Sequence, residues 1–202
     1  MPQYKLIYFD FRGRGELSRL LFVLAGQEYE DVRIKMKDWP AQKGKYVFGR
    51  LPVLEVDGKQ YGQSMAIANF LARRFGLHGK TDVEILEVDQ VNGIVADILA
   101  VLVPVFLEKD EAKKAELAKE NNETNIPKFL GFLETVLKNN NTGFFVGSKI
   151  GYADVAVFDV LDAAGALKGL VDGFPLVKAN VEKVKSNARI AQYLAKRPQT
   201  PM

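Results

Sequence analysis

Apolar positions along the first part of the chain change period once, and the change locates a site. Tyr4-Lys5-Leu6-Ile7-Tyr8-Phe9 is aromatic and aliphatic with neither Gly nor Pro, which predicts a strand. Leu17, Leu20, Leu21 and Leu24 then recur at intervals of three and four, so a helix begins within a residue or two of Arg14. Arg12-Gly13-Arg14-Gly15-Glu16 lies between them as a tight turn. Tyr8 therefore stands at the carboxyl end of a strand, just before a helix. Open α/β sheets bind ligands there, and Arg12 and Arg14 make the corner electropositive.

Tyr29 to Lys35 alternates charge against Val32 and Ile34 and reads as a second strand at or near a sheet edge. Met36 to Arg50 has no period and reads as an irregular loop with a short helix at most; loops of this length are usually functional. Leu51 to Val56 and Gln60-Tyr61 flank Asp57-Gly58, a strong hairpin signal. Pro52 opens that strand, where its missing N–H costs no ladder bond, and its cis or trans state stays open. Ser64 reads as the N-cap of a helix over Met65 to Phe75, whose start is a ready anion site. Gly76-Leu77-His78-Gly79-Lys80 ends this part, so the division falls at 1–78 and 79–202.

Everything downstream has helical period. Val88, Val91, Val95, Ile98, Leu102 and Val105 form one apolar side of a long helix, and Leu99, Val101, Val103 and Leu107 a second, so two faces need cover. Pro104 predicts a kink near its end. Glu111 to Lys138 is a further helical region, with Ile126, Phe129, Leu130, Leu133 and Val136 at core spacing and a bend expected at Pro127. At Ile150-Gly151-Tyr152-Ala153-Asp154-Val155, Asp154 can reach back to a free backbone N–H, which starts a helix central to the second part. Pro175 to Lys185 and Arg189 to Ala195 are the last helices, and Arg197 to Pro201 an extended tail.

Composition narrows the chemistry. The chain has 202 residues, 48% of them apolar, enough for one domain or two small ones with a core. A net charge of +3 without a basic, aromatic-rich cluster speaks against nucleic acid. The apolar run near Leu99 to Leu107 reads as too short and interrupted to span a bilayer, and no secretory h-region opens the chain, so no membrane partner and a cytoplasmic address are expected. With no cysteine there is no disulfide, no thiolate metal site and no protein-borne sulfur nucleophile. Any thiol chemistry must therefore be carried by a small molecule. The single histidine, His78, lies in a Gly-rich segment, which argues against a Ser-His-Asp triad and against zinc.

The chain resembles the cytosolic glutathione transferases over essentially its whole length. The motifs are Tyr4-Lys5-Leu6-x-Tyr8-Phe9 with Arg12 to Glu16, Asp38-Trp39-Pro40, Phe48-Gly49-x-Leu51-Pro52-Val53-Leu54-Glu55-Val56-Asp57-Gly58, and Gln63-Ser64-x-Ala66-Ile67. Together they look like the sigma class. Phe75-Gly76-Leu77-x-Gly79-Lys80 and the ending Arg197-Pro198-x-Thr200-Pro201 look like its nematode members. The resemblance implies a thioredoxin-like α/β amino-terminal domain that binds glutathione and an all-α carboxyl-terminal domain that contributes an electrophile site. It implies Tyr8 as hydrogen-bond donor to the glutathione sulfur and Arg14 as the cation that helps hold phenol and thiolate in register. Trp39 and Lys43 match contacts to the glycine carboxylate, and Leu51, before the family's cis-proline at Pro52, matches the backbone partner of the cysteinyl part. Gln63 and Ser64 match the γ-glutamyl contacts, and Arg50 a further polar contact. Asp97 matches an acid that reaches the neighbouring subunit's glutathione, which implies a homodimer. Phe9, Leu99 and Val103 match an apolar electrophile site. No cofactor or metal is implied, since glutathione is the co-substrate.

Elementary chemistry agrees. A tripeptide with two carboxylates suits cations and helix N-termini, which Lys43, Arg14 and the helix after Ser64 supply. A thiol of pKa roughly 8.5 is only a few per cent ionised near neutrality. A hydrogen bond to its charged form, about 1.5–3 kcal/mol, lowers that pKa by roughly one to two units. The expected activity is conjugation of glutathione to apolar electrophiles, as in detoxification. Peroxidase or prostaglandin isomerase side activities belong to the same family chemistry. Gly93, Ala96 and Pro104 stand where a dedicated prostaglandin synthase has an acidic cluster and an aromatic wall, and so speak against that specialisation. The alternatives are a carrier of haem or other large apolar ligands, and a structural protein of the lens-crystallin kind.

Overall fold

The computed structural model describes residues 2–163 and 168–200. Pro201, part of the expected tail, lies outside them. The chain divides into two compact units, Met1–Leu77 together with Ser186–Met202, and His78–Lys185.

In the first unit β1 (Tyr4–Phe9) leads through a 3-10 turn, Gly13–Gly15, into α1 (Glu16–Ala25), then β2 (Glu30–Ile34). The segment the sequence leaves irregular holds one short helix, α2 (Trp39–Gln42), between 3-10 turns at Met36–Asp38, Lys43–Lys45 and Val47–Gly49. The hairpin β3 (Val53–Val56) and β4 (Lys59–Gly62) follows, with Asp57 and Gly58 at φ 50° and 83°, and then α3 (Ser64–Arg74). The sheet order is β2-β1-β3-β4, so β2 is an edge as expected. Only β1 and β2 run parallel. This is a thioredoxin-like arrangement. Leu6 and Ile7 on opposite faces of β1 are both buried, because α1 and α3 cover one face while Trp39, Tyr46, Val47 and Leu51 pack with Ile7, Ile34 and Val53 on the other. A strand covered on both sides loses its polar alternation, which is why Tyr4 to Phe9 reads as one apolar run. Gly26, at φ 68°, closes α1 with its N–H on Val23 O and that of Gln27 on Phe22 O.

Among its described residues the second unit has helices and no strand: α4 (Asp82–Leu107), α5 (Glu111–Glu120), α6 (Ile126–Asn140), α7 (Tyr152–Ala163), α8 (Lys168–Val171) and α9 (Pro175–Lys185). Thr81 and Glu84 form a reciprocal capping box at the start of α4. Val88, Val91, Val95 and Ile98 of α4 are buried, and α7, buried from Tyr152 to Phe158, packs against it as the central helix. Pro127 falls in the first turn of α6, and the irregularity in this region is a π-helical turn at Asn121–Asn125 that joins α5 to α6. Leu137 replaces Val136 in the buried row of α6. By length and composition alone α4 as a whole is long and apolar enough to cross a membrane, a measure that core helices of soluble proteins meet as well.

The last helix, α10 (Ala188–Lys196), belongs to the first unit rather than to the helical one the sequence assigns it to. Arg189 donates to Leu24 O at the end of α1 at 3.0 Å and lies against Gly26, while Tyr193 and Arg197 reach Glu16 at its start.

Candidate functional site

Strand register assembles the site. Ile7 pairs with Val32 on one side and Val53 on the other, and Val53 pairs with Gly62, so these four residues cross the sheet in a row. Because β1 and β4 run one way and β3 the other, one step beyond that row brings Tyr8, Pro52 and Gln63 to the same end. The Leu51–Pro52 bond is cis, which answers the question the sequence leaves open. Gln63 takes φ 74° and ψ 106°, unusual for a residue with a side chain, and is the N-cap of α3. Ser64 is therefore the first helical residue, one place later than its expected cap role. Backbone strain of this kind persists where surrounding structure enforces it, often at ligand sites.

Tyr8 is 6% exposed, and its hydroxyl oxygen accepts the backbone N–H of Arg14 at 3.0 Å. The Arg14 side chain is exposed. Accepting that N–H polarises the phenol and strengthens its O–H as a hydrogen-bond donor. Gly13 and Gly15 permit the approach: a Cβ on Gly13 would stand 2.7 Å from the Tyr8 oxygen, and one on Gly15 2.6 Å from its ring. Beside the hydroxyl the rings continue. Phe11 lies edge-on to Tyr8 and stacks on Phe9 at 5.4 Å, and Phe9 meets Trp39 edge-on at 5.4 Å. Trp39 also stacks on Tyr46, so it anchors its loop as well as flanking the site. Lys43 and Arg50 are exposed near Gly49, with the Lys43 chain passing against that glycine. Asp97 is exposed on α4, and Leu99 and Val103 are half-buried one turn apart on it, all in the second unit.

Behind Tyr8 lies a charged layer that periodicity does not reveal. Arg19 is fully buried; its guanidinium carbon is 5.8 Å from the Tyr8 ring centroid. It donates to Phe9 O at 3.3 Å and Phe11 O at 3.0 Å, and pairs with Glu16 at 3.2 Å and Asp31 at 3.0 Å. Glu16, 1% exposed, also accepts the Tyr193 hydroxyl and Arg197, both at 3.0 Å. Burial works against the charge on Arg19, but Asp31 and Glu16 outweigh it and raise its pKa. Burial also pushes the Tyr29 and Tyr193 phenols well up, so both stay neutral. The only sequence signal for this layer is Glu16 inside the turn motif. Arg19 sits among leucines where a solvent-facing residue is expected.

Comparison with known proteins gives one answer. Residues 4–73 match the family described as Glutathione S-transferase, N-terminal domain, and residues 96–197 that described as Glutathione S-transferase, C-terminal domain. A probable glutathione S-transferase 7 of Caenorhabditis elegans is 42% identical over 100% of both chains. A Nu-class glutathione S-transferase structure from Haemonchus contortus superposes with TM-score 0.92, 42% identity and complete coverage of both chains. A structure from the hookworm Necator americanus, described as monomeric, gives TM-score 0.84 at 40% identity, covering 99% of this chain and 100% of that one.

Proposed function

The chain belongs to the glutathione S-transferase family, and on that premise we propose that Tyr8 donates a hydrogen bond to the glutathione thiolate, which attacks apolar electrophiles. The observation that carries this is the Arg14 N–H on the Tyr8 hydroxyl at the carboxyl end of β1, which turns the phenol into a directed donor. The glutathione contacts of Trp39, Lys43, Arg50, Leu51, Pro52, Gln63 and Ser64 are supported by the shared sheet end and by the start of α3, whose free N–H groups suit a carboxylate. Stacked Phe9 and Phe11 favour flat apolar electrophiles. Leu99 and Val103 are kept in that assignment by the resemblance alone. Peroxidase or isomerase turnover would draw on the same thiolate. The motif set supports the sigma class, although a relative 42% identical is named Nu class.

A homodimer in which Asp97 reaches the partner's glutathione is part of this reading. Exposed Val83 and Leu86 on α4 support it, as does an apolar groove of about 460 Å³ in the first unit lined by Val47, Phe48, Leu54, Tyr61, Ile67 and Phe70. The monomeric hookworm relative counts against it. A cytoplasmic address fits, since glutathione keeps thiols reduced there. The test is steady-state conjugation to a generic aromatic electrophile. Tyr8→Phe lowers kcat by about one to two orders of magnitude near neutral pH while glutathione still binds. An unchanged rate removes Tyr8 from the chemistry. A wild type that binds glutathione without turnover hands the site to the carrier reading, with haem or a similar apolar ligand as cargo.

A further inference from the structure

We propose that the buried Arg19 guanidinium is a positioning residue for Tyr8 that also sets how strongly the phenol donates, acting through the ring face and through the two carbonyls that follow Tyr8 in the chain. The inference rests on the reading of Tyr8 as thiolate donor. A cation on a ring face is attracted to the π-electrons, and the attraction grows as negative charge gathers on the phenol oxygen. That is the change which sharing the Tyr8 proton with a thiolate requires. Geometry joins the two groups firmly, because Arg19 holds Phe9 O and Phe11 O while its ring contact is 5.8 Å.

The charged and titratable groups around this pair come from several elements. Glu16 lies on α1, Asp31 and Arg33 on β2, Asp10 just beyond β1, and Tyr193 and Arg197 at the end of the chain, with Tyr29 in the turn before β2. Asp31 is the adjustable member. Its side chain is 25% exposed and divides its two oxygens between Arg19 and Arg33 at 3.0 and 2.9 Å. Removing its charge leaves Arg19 in place with less of its field cancelled.

Two substitutions therefore act with opposite sign on the thiol of bound glutathione, read as the pH midpoint of ultraviolet thiolate absorbance. Arg19→Gln raises the midpoint by about half to one unit, a roughly three- to tenfold loss of thiolate below it. Asp31→Asn lowers it by a few tenths of a unit, and that shift disappears when combined with Tyr8→Phe. A purely structural role gives no such opposition. If Arg19→Gln does not fold, the Asp31→Asn pair decides alone. No shift in Asp31→Asn, an upward one, or one that persists without the Tyr8 hydroxyl overturns the proposal. Should Tyr8→Phe itself leave the midpoint of the wild type unmoved, it is the Tyr8 reading that has failed, and this inference falls with it.

Discussion

Gly13 shows how closely Tyr8 is fitted to its turn. Its φ of 39° is one that side chains avoid, and a methyl there would meet the Tyr8 oxygen at 2.7 Å and the Phe11 ring at 2.8 Å. Gly13→Ala should thus shift the hydroxyl away from its working position and lower kcat by roughly tenfold, with a smaller change in the urea midpoint. A wild-type rate in this variant would mean that the turn is more yielding than its geometry indicates. Gln63 is the same lesson in the opposite sense. Its place in a motif is visible in sequence, but its φ of 74° follows from β4 and α3 meeting at one point, so the cap moves from Ser64 to Gln63.

Among the elements, α7 depends on one carboxylate. Asp154 is 1% exposed and accepts the N–H of Phe145 at 3.0 Å, the N–H of Gly151 at 2.8 Å and the side-chain amide of Asn180 at 2.6 Å. Burial pushes its pKa up and these donors draw it partly back. The sequence shows only the bond to Gly151, because it is three residues away; the others tie α7 to the preceding loop and to α9. Asp154→Asn sets an N–H against an N–H and should cost about 2–4 kcal/mol in urea unfolding, with activity per folded molecule unchanged. A loss within about 0.5 kcal/mol would show that the network rearranges freely. The irregularity before Pro127 has a similar cause. Proline announces a discontinuity, but packing places the extra turn at Asn121–Asn125, where Asn121 is buried and donates to Val101 O at 2.7 Å.

At the scale of the whole molecule, the proposed dimer makes Asp97 the informative position. It is exposed on α4 and has no structural duty in the helix core, so Asp97→Ala should leave stability alone. On the dimeric reading it weakens glutathione binding by about three- to tenfold, the worth of one partly exposed charged contact, and only at concentrations where sedimentation finds two chains. Equal affinity in wild type and variant takes Asp97 out of the site. A single-chain sedimentation profile sets aside the dimer itself.

The sequence by itself determined whatever neighbours along the chain enforce: the switch from strand to helix around Tyr8, the Asp57-Gly58 hairpin, the start of α7, and the motifs that carry the family resemblance. Periods of two and of 3.6, turn residues and caps act over a few residues, so they are legible without a fold. Only the tertiary structure decided the layer beneath Tyr8. Arg19 and Glu16 look like the polar side of α1 until α10 covers them, and the partner of Glu16 in that cover, Tyr193, lies 177 residues away. A charge can be buried only where others neutralise and hydrogen-bond it, and no local pattern states which distant residues will do so.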